Sequence, residues 1–165
     1  PGGKLPVTFY ESTKDLPDFL DYSMENRTYR YFRGVPQYAF GYGLSYTTFE
    51  VGKGKLSKKS MKADGSVKIT VPVENTGDRE GTETIQVYVK ALDYAEAPIK
   101  SLKGFQKINL KAGEKGKVEI VLDGESFQYY DPSIDELSTR TGRYQILYGT
   151  SSLEKDLKSI DFVVK

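Results

Sequence analysis

The stretch Val67-Lys68-Ile69-Thr70-Val71-Pro72-Val73-Glu74 alternates branched apolar residues with polar ones, and Asn75-Thr76-Gly77-Asp78 follows it directly. A period of two places Val67, Ile69, Val71 and Val73 on one face of a strand, and the Asn, Gly and Asp behind it supply turn chemistry. Pro72 has no N–H for a ladder bond, so the strand should be an edge at that point or turn its empty position to solvent.

The same signal recurs downstream. Ile85, Val87 and Val89 alternate with Gln86, Tyr88 and Lys90; Ile108 and Leu110 follow; Val118, Ile120 and Leu122 alternate with Lys117, Glu119 and Val121 after a turn at Gly113-Glu114. Tyr144, Ile146 and Tyr148 form another run after Gly142, and Ile160, Phe162 and Val164 follow the turn-rich Gly149-Thr150-Ser151-Ser152. About seven short strands with turns between them and no crossover helices predict an all-β protein, an immunoglobulin/fibronectin type III-like antiparallel β-sandwich, and exclude a parallel α/β fold. Gly104, inside Leu102-Lys103-Gly104-Phe105, predicts a bulge.

Upstream the texture changes. Residues 1–46 cluster Pro, Gly and aromatic rings without a sustained period, and twelve of the 21 Tyr and Phe residues fall between Phe9 and Phe49. This reads as an extended aromatic-rich arm with an N-terminal strand hint at Val7-Thr8-Phe9, ahead of a sandwich over residues 47–165. Rings interleaved with Pro and Gly in a segment without its own core predict burial against another domain. The docking candidates are Phe9, Tyr29, Tyr31, Phe32, Tyr38 and Phe40. Stacking on sugars is the competing use of such rings, and the lack of Trp argues against it. An ordered arm must fold back onto the sandwich or self-associate with a second copy.

Composition narrows the chemistry. With no Cys and no His among 165 residues, thiolate and imidazole metal sites, Ser-His-Asp and Cys-His catalysis are all excluded. No carboxylate pair in the sequence marks a glycosidase centre, so no catalytic, metal or cofactor-binding residue is assigned. Asp15, Asp18 and Asp21 read as turn and helix-start residues, and Asp123-Gly124-Glu125 as a turn rather than a calcium loop. Lys53, Lys55, Lys58, Lys59 and Lys62 read as a solvated edge that blocks strand pairing. Asn26-Arg27-Thr28 is a glycosylation sequon that matters only in a eukaryotic secreted protein. Twenty-four basic against 23 acidic residues create no global field for nucleic acid, and no window reaches the ~20 apolar residues of a membrane span.

Particular motifs go further. Gly3-Lys4-Leu5-Pro6-Val7-Thr8-Phe9, Leu16-Pro17, Tyr22, Arg27-Thr28-Tyr29-Arg30-Tyr31-Phe32 and Phe40-Gly41-Tyr42-Gly43-Leu44-Ser45-Tyr46-Thr47-Thr48-Phe49 occur in that order. Val73-Glu74-Asn75-Thr76-Gly77, Gln86-Val87-Tyr88-Val89, Leu102-Lys103-Gly104-Phe105, Leu110-Lys111-Ala112-Gly113-Glu114 and Gly142-Arg143-Tyr144 continue the series. Over nearly its whole length the chain resembles the C-terminal region of family 3 glycoside hydrolases, the β-glucosidases and β-xylosidases: a fibronectin type III-like module preceded by the tail of an α/β domain. The resemblance implies that the catalytic carboxylates lie upstream of the matching region, that the partners are the catalytic domains of a parent glycosidase, and that the parent is periplasmic or secreted. It also implies that Leu5 to Phe9 is a terminal strand of a sheet outside this chain and that Tyr29 to Phe32 face that neighbour. Leu137 departs from the family's usual large ring, so the resemblance does not define the loop from Asp131 to Thr141. The expected role is a non-catalytic accessory module. The alternatives are a carbohydrate-binding module using Tyr88, Tyr129 and Tyr130 on one sheet, and a protein-interaction domain working through an edge strand or loop.

Overall fold

The computed structural model describes residues 2–165. Two short strands in the arm, β1 (Phe9–Tyr10) and β2 (Pro36–Tyr38), pair antiparallel. A single helical turn, α1 (Thr28–Tyr31), lies between them. The sandwich follows as β3 (Phe49–Val51), β4 (Lys55–Leu56), β5 (Ser60–Met61), β6 (Ser66–Asn75), β7 (Gly81–Ala91), β8 (Ser101–Leu110) and β9 (Lys115–Asp123). It is completed by β10 (Gln128–Asp131), β11 (Glu136–Thr139), β12 (Gly142–Gly149) and β13 (Leu157–Val164).

One sheet is built on β6, which pairs with β9 along one edge and with β3 and β4 along the other. The second sheet runs β5-β13-β12-β7-β8. Between them Val67, Ile69, Val71 and Val73 meet Ile85, Val87, Val118, Leu122, Tyr144, Ile146 and Phe162 in one buried cluster. Each such side chain contributes about 1.5–3 kcal/mol when fully buried, so this cluster is the main source of the fold's stability. Inside it the rings of Phe127 and Tyr144 meet edge to face at 5.2 Å. Asn75, buried at the end of β6, accepts from the Thr47 hydroxyl at 2.7 Å and donates to the carbonyls of Arg79 and Leu110, so its burial leaves nothing unpaired.

Three details differ from the sequence reading. Pro72 lies in a central strand, not on an edge. Its carbonyl accepts from Gly52 N at 2.9 Å, and since N and O of one strand residue point the same way, its missing N–H falls at the break between β3 and β4. The first strand of the sandwich is therefore split, and Gly54 closes the gap by donating its N–H to the buried Tyr148 hydroxyl at 2.7 Å. The sandwich is also not wholly antiparallel: the lysine-rich segment carries the chain from one sheet to the other, and β5 pairs parallel with β13. Finally, the loop from Asp131 to Thr141 starts and ends on a hairpin, β10–β11, that pairs Tyr130 with Leu137. The bulge at Gly104 is present: Val87 faces Gly104 and Tyr88 faces Leu102, which leaves Lys103 extra.

Candidate functional site

Every side chain of β7 from Glu83 to Val89 is buried, on both faces of the strand. Ile85, Val87 and Val89 enter the sandwich core, whereas Thr84, Gln86 and Tyr88 point the other way, under the arm. The arm thus forms a partial third layer on the outside of the five-stranded sheet.

Polar contacts hold it there. Gln86 Nε2 donates to the carbonyls of Gly41 (3.0 Å) and Thr150 (2.7 Å), and its Oε1 accepts from the Tyr88 hydroxyl at 2.5 Å. Lys4 pairs with Glu83 at 2.7 Å and also donates to Thr150 O at 3.2 Å. Backbone bonds from Gly41 N to Leu5 O (2.8 Å) and from Ser152 N to Phe40 O (2.9 Å) complete the clasp. Gly41 makes this approach possible: its φ is +78°, and a Cβ there would overlap the Gln86 carboxamide.

The six docking candidates divide between two faces. Tyr29, presented by α1, stacks on Phe40 at 4.2 Å and meets the edge of Tyr88 at 5.8 Å. Its hydroxyl accepts from Leu102 N at 2.9 Å, and burial pushes its pKa up. Burial raises Tyr88 as well. Tyr29 and Phe40 therefore dock the arm onto its own sandwich. This corrects the expectation that Tyr29 faces a neighbour outside the chain, and it answers how the arm is ordered: it folds back. Phe32 sits edge-on to Tyr10 at 4.8 Å, and Tyr31 is half-buried with the Arg30 guanidinium 5.7 Å from its ring centre.

Phe9 and Tyr38 turn outward. They meet edge to face at 6.1 Å on the β1–β2 ribbon, yet stay 47% and 43% exposed. With Leu5, Tyr42 and Leu44 they line an open hollow of about 650 Å³. A second apolar strip comes from the loop that follows, where Phe19 is 91% exposed and Tyr22 88%. Here Asp18 and Asp21 accept from the amides of Leu20 and Ser23, both at 2.8 Å, in the turn role expected of them.

The carbohydrate-platform alternative is not supported by its own residues: Tyr88 and Tyr129 are buried, and only Tyr130 is exposed. Tyr129 instead packs in a cluster with Tyr94 and Arg140, whose guanidinium lies 3.8 Å over the Tyr94 ring and pairs with Asp131 at 3.3 Å and Glu96 at 3.0 Å. Asp123 caps the short helix after β9 by accepting from Ser126 N at 3.0 Å, the turn role expected of it. Among the described residues there is no group of three or more Asp or Glu placed to hold a metal ion. No described helix is long and apolar enough to cross a membrane.

The clasp residues Lys4, Glu83, Gln86 and Tyr88 were not among the candidates. Their one sequence signal is that no charged residue occurs between Glu83 and Lys90, where a solvent-facing strand face would normally carry one.

An arm-clasped sandwich of this topology defines a fibronectin type III-like module. The profile of the fibronectin type III-like domain matches residues 83–152. A xylan 1,4-β-xylosidase of Xylanibacter ruminicola is 48% identical over 161 residues, covering 97% of this chain and 18% of the relative. A periplasmic β-glucosidase of Salmonella typhimurium is 37% identical over 165 residues, covering 92% of this chain and 21% of the relative. The crystal structure of a family 3 β-glucosidase from Bifidobacterium adolescentis superposes with a TM-score of 0.85 at 31% identity, over 99% of this chain and 26% of that one. The chain belongs with the C-terminal fibronectin type III-like region of family 3 glycoside hydrolases, and it spans about a fifth of the length of the curated relatives it matches.

Proposed function

We propose that this chain is the non-catalytic accessory module of a β-glycosidase that removes terminal β-xylosyl or β-glucosyl residues, and that it braces the catalytic domains through the outer face of its arm. The observation that carries this reading is the division of the aromatic residues. Tyr29 and Phe40 fix the arm to the sandwich, while Phe9, Tyr38, Leu44 and Phe19 remain uncovered on the side away from it. A surface rich in large apolar side chains on a rigidly held segment is what a packed domain neighbour requires. The relatives' names, a xylosidase and a glucosidase, support the substrate class of the parent.

The test uses both the full-length glycosidase and the 165-residue chain. The chain alone should not hydrolyse aryl β-xylosides or β-glucosides. Phe9→Ser with Tyr38→Ser should leave its thermal midpoint within about 4 °C, because each surface substitution seldom exceeds about ±0.5 kcal/mol. The same pair in the full-length enzyme should lower its midpoint by at least 5 °C. Turnover by the chain, or equal shifts in both proteins, would contradict the proposal.

A further inference from the structure

Between the arm and the sandwich, next to the clasp residue Ser152, lies a cleft of about 470 Å³. Its walls are apolar, with Tyr29 and Phe32 from the arm facing Ile99 and Leu153 from the sandwich. Its polar groups are unbalanced. Lys100 lines it with a side chain only 8% exposed, and its one partner among the described residues is Glu154 at 3.4 Å, a carboxylate whose own side chain is 74% exposed. The Thr8 hydroxyl, also on the wall, is buried without a partner among the described residues. Arg33 and Lys155 stand at the rim, so the cleft carries three formal positive charges against the single negative charge of Glu154.

Donors in excess of acceptors, around a buried amine held by one long and solvent-weakened contact, form a receptor for an anionic, acceptor-rich group. A buried charge needs a close partner, and Glu154 leaves most of the donors of Lys100 unused. We propose that this cleft receives an Asp or Glu side chain from the part of the parent glycosidase outside this chain, with Lys100 as its ion-pair partner. The inference deepens the accessory-module reading and rests on it. A second contact of this kind, on the arm–sandwich seam, would join the catalytic domains to both parts of the module at once. The occupant's source follows from size: about four fifths of the relatives' length lies outside the matched region. A cleft of this volume takes one or two side chains rather than a domain.

Zero-length carbodiimide coupling of the full-length enzyme, followed by peptide mass spectrometry, tests this. The expected product joins Lys100 to an Asp or Glu outside this chain. Lys100→Met should abolish that product, lower the full-length protein's thermal midpoint, and leave unchanged or raise that of the 165-residue chain, in which Glu154 loses little. Coupling of Lys100 to Glu154 alone, while other lysines of the module couple to the catalytic domains, would overturn the cleft assignment and leave the bracing role standing. If no lysine of the module couples to any other domain, the bracing role falls with it.

Discussion

Gln86 is the residue on which the clasp depends, and Gln86→Leu isolates its contribution because the leucine keeps most of the volume and makes none of the bonds. The substitution removes the donor to Gly41 O and the acceptor for the Tyr88 hydroxyl, both in buried surroundings, whereas Thr150 O keeps its bond from Lys4. Two orphaned buried groups at about 1–3 kcal/mol each give a loss of about 2–6 kcal/mol. That loss falls on docking of the arm rather than on the sandwich core. At about 1.4 kcal/mol per tenfold change, the amides that report arm opening, Gly41 and Ser152, should exchange at least about 30 times faster. Residue-resolved hydrogen exchange by NMR measures this directly, with the β6–β9 ladder as the internal control. Adding Tyr88→Phe removes one orphan and should restore about half of the lost protection. Gly41 and Ser152 exchanging within threefold of the unmutated rate would refute the clasp as the force that holds the arm.

Other outcomes follow from neighbouring features. Gly41→Ala should release the arm to limited proteolysis near residues 13–27 while the sandwich stays folded, since φ near +78° and the Gln86 side chain leave no room for a Cβ. Arg140→Lys keeps the charge but loses the planar stack over Tyr94, and should lower the midpoint by about 2–8 °C, from about 1–2 kcal/mol, in a melt followed by circular dichroism. The Arg143 guanidinium and amide hold Asp93 below the usual carboxylate range, and the Ser133 hydroxyl and amide do the same for Asp131. A depressed carboxylate adds stability that is present above its unfolded pKa and is lost as pH falls through the folded one. The midpoint should therefore stay level from pH 7 to about 4.5 and drop below about 4. Asp93→Asn should flatten that drop in melts recorded at low salt, and curves that remain parallel would count against the pairing.

The strands that alternation revealed, β6, β7, β9, β12 and β13, each have one face in the core, which is the condition under which a period of two reports burial. The edge strand β8 was legible only at Ile108 and Leu110: its bulge at Lys103 breaks the period, and Phe105 points to solvent. The β10–β11 hairpin gave no signal, because Tyr130, Ile134 and Leu137 stay exposed and its order comes from Tyr129, Arg140 and Tyr94 packing beneath it. The arm's aromatic residues stood out in the sequence, but not which way each turns. That depends on partners in β7 whose polar alternation looks, in sequence, like a solvent-facing strand. Pro72 does have the empty ladder position its sequence requires, but where it falls was not legible: the gap lies in the neighbouring strand, at Gly52 and Gly54, nearly twenty residues away in the chain.

The double burial of β7 bears on what counts as one unit of inheritance. A segment trimmed to residues 83–152 would begin partway through β7, with Thr84, Gln86 and Tyr88 stripped of their cover. Grafted onto an enzyme without residues 1–46, the sandwich of residues 47–165 would likewise present a wet hydroxyl-and-amide stripe where a lid belongs. Recombination that moves this module should therefore carry the leading segment with it.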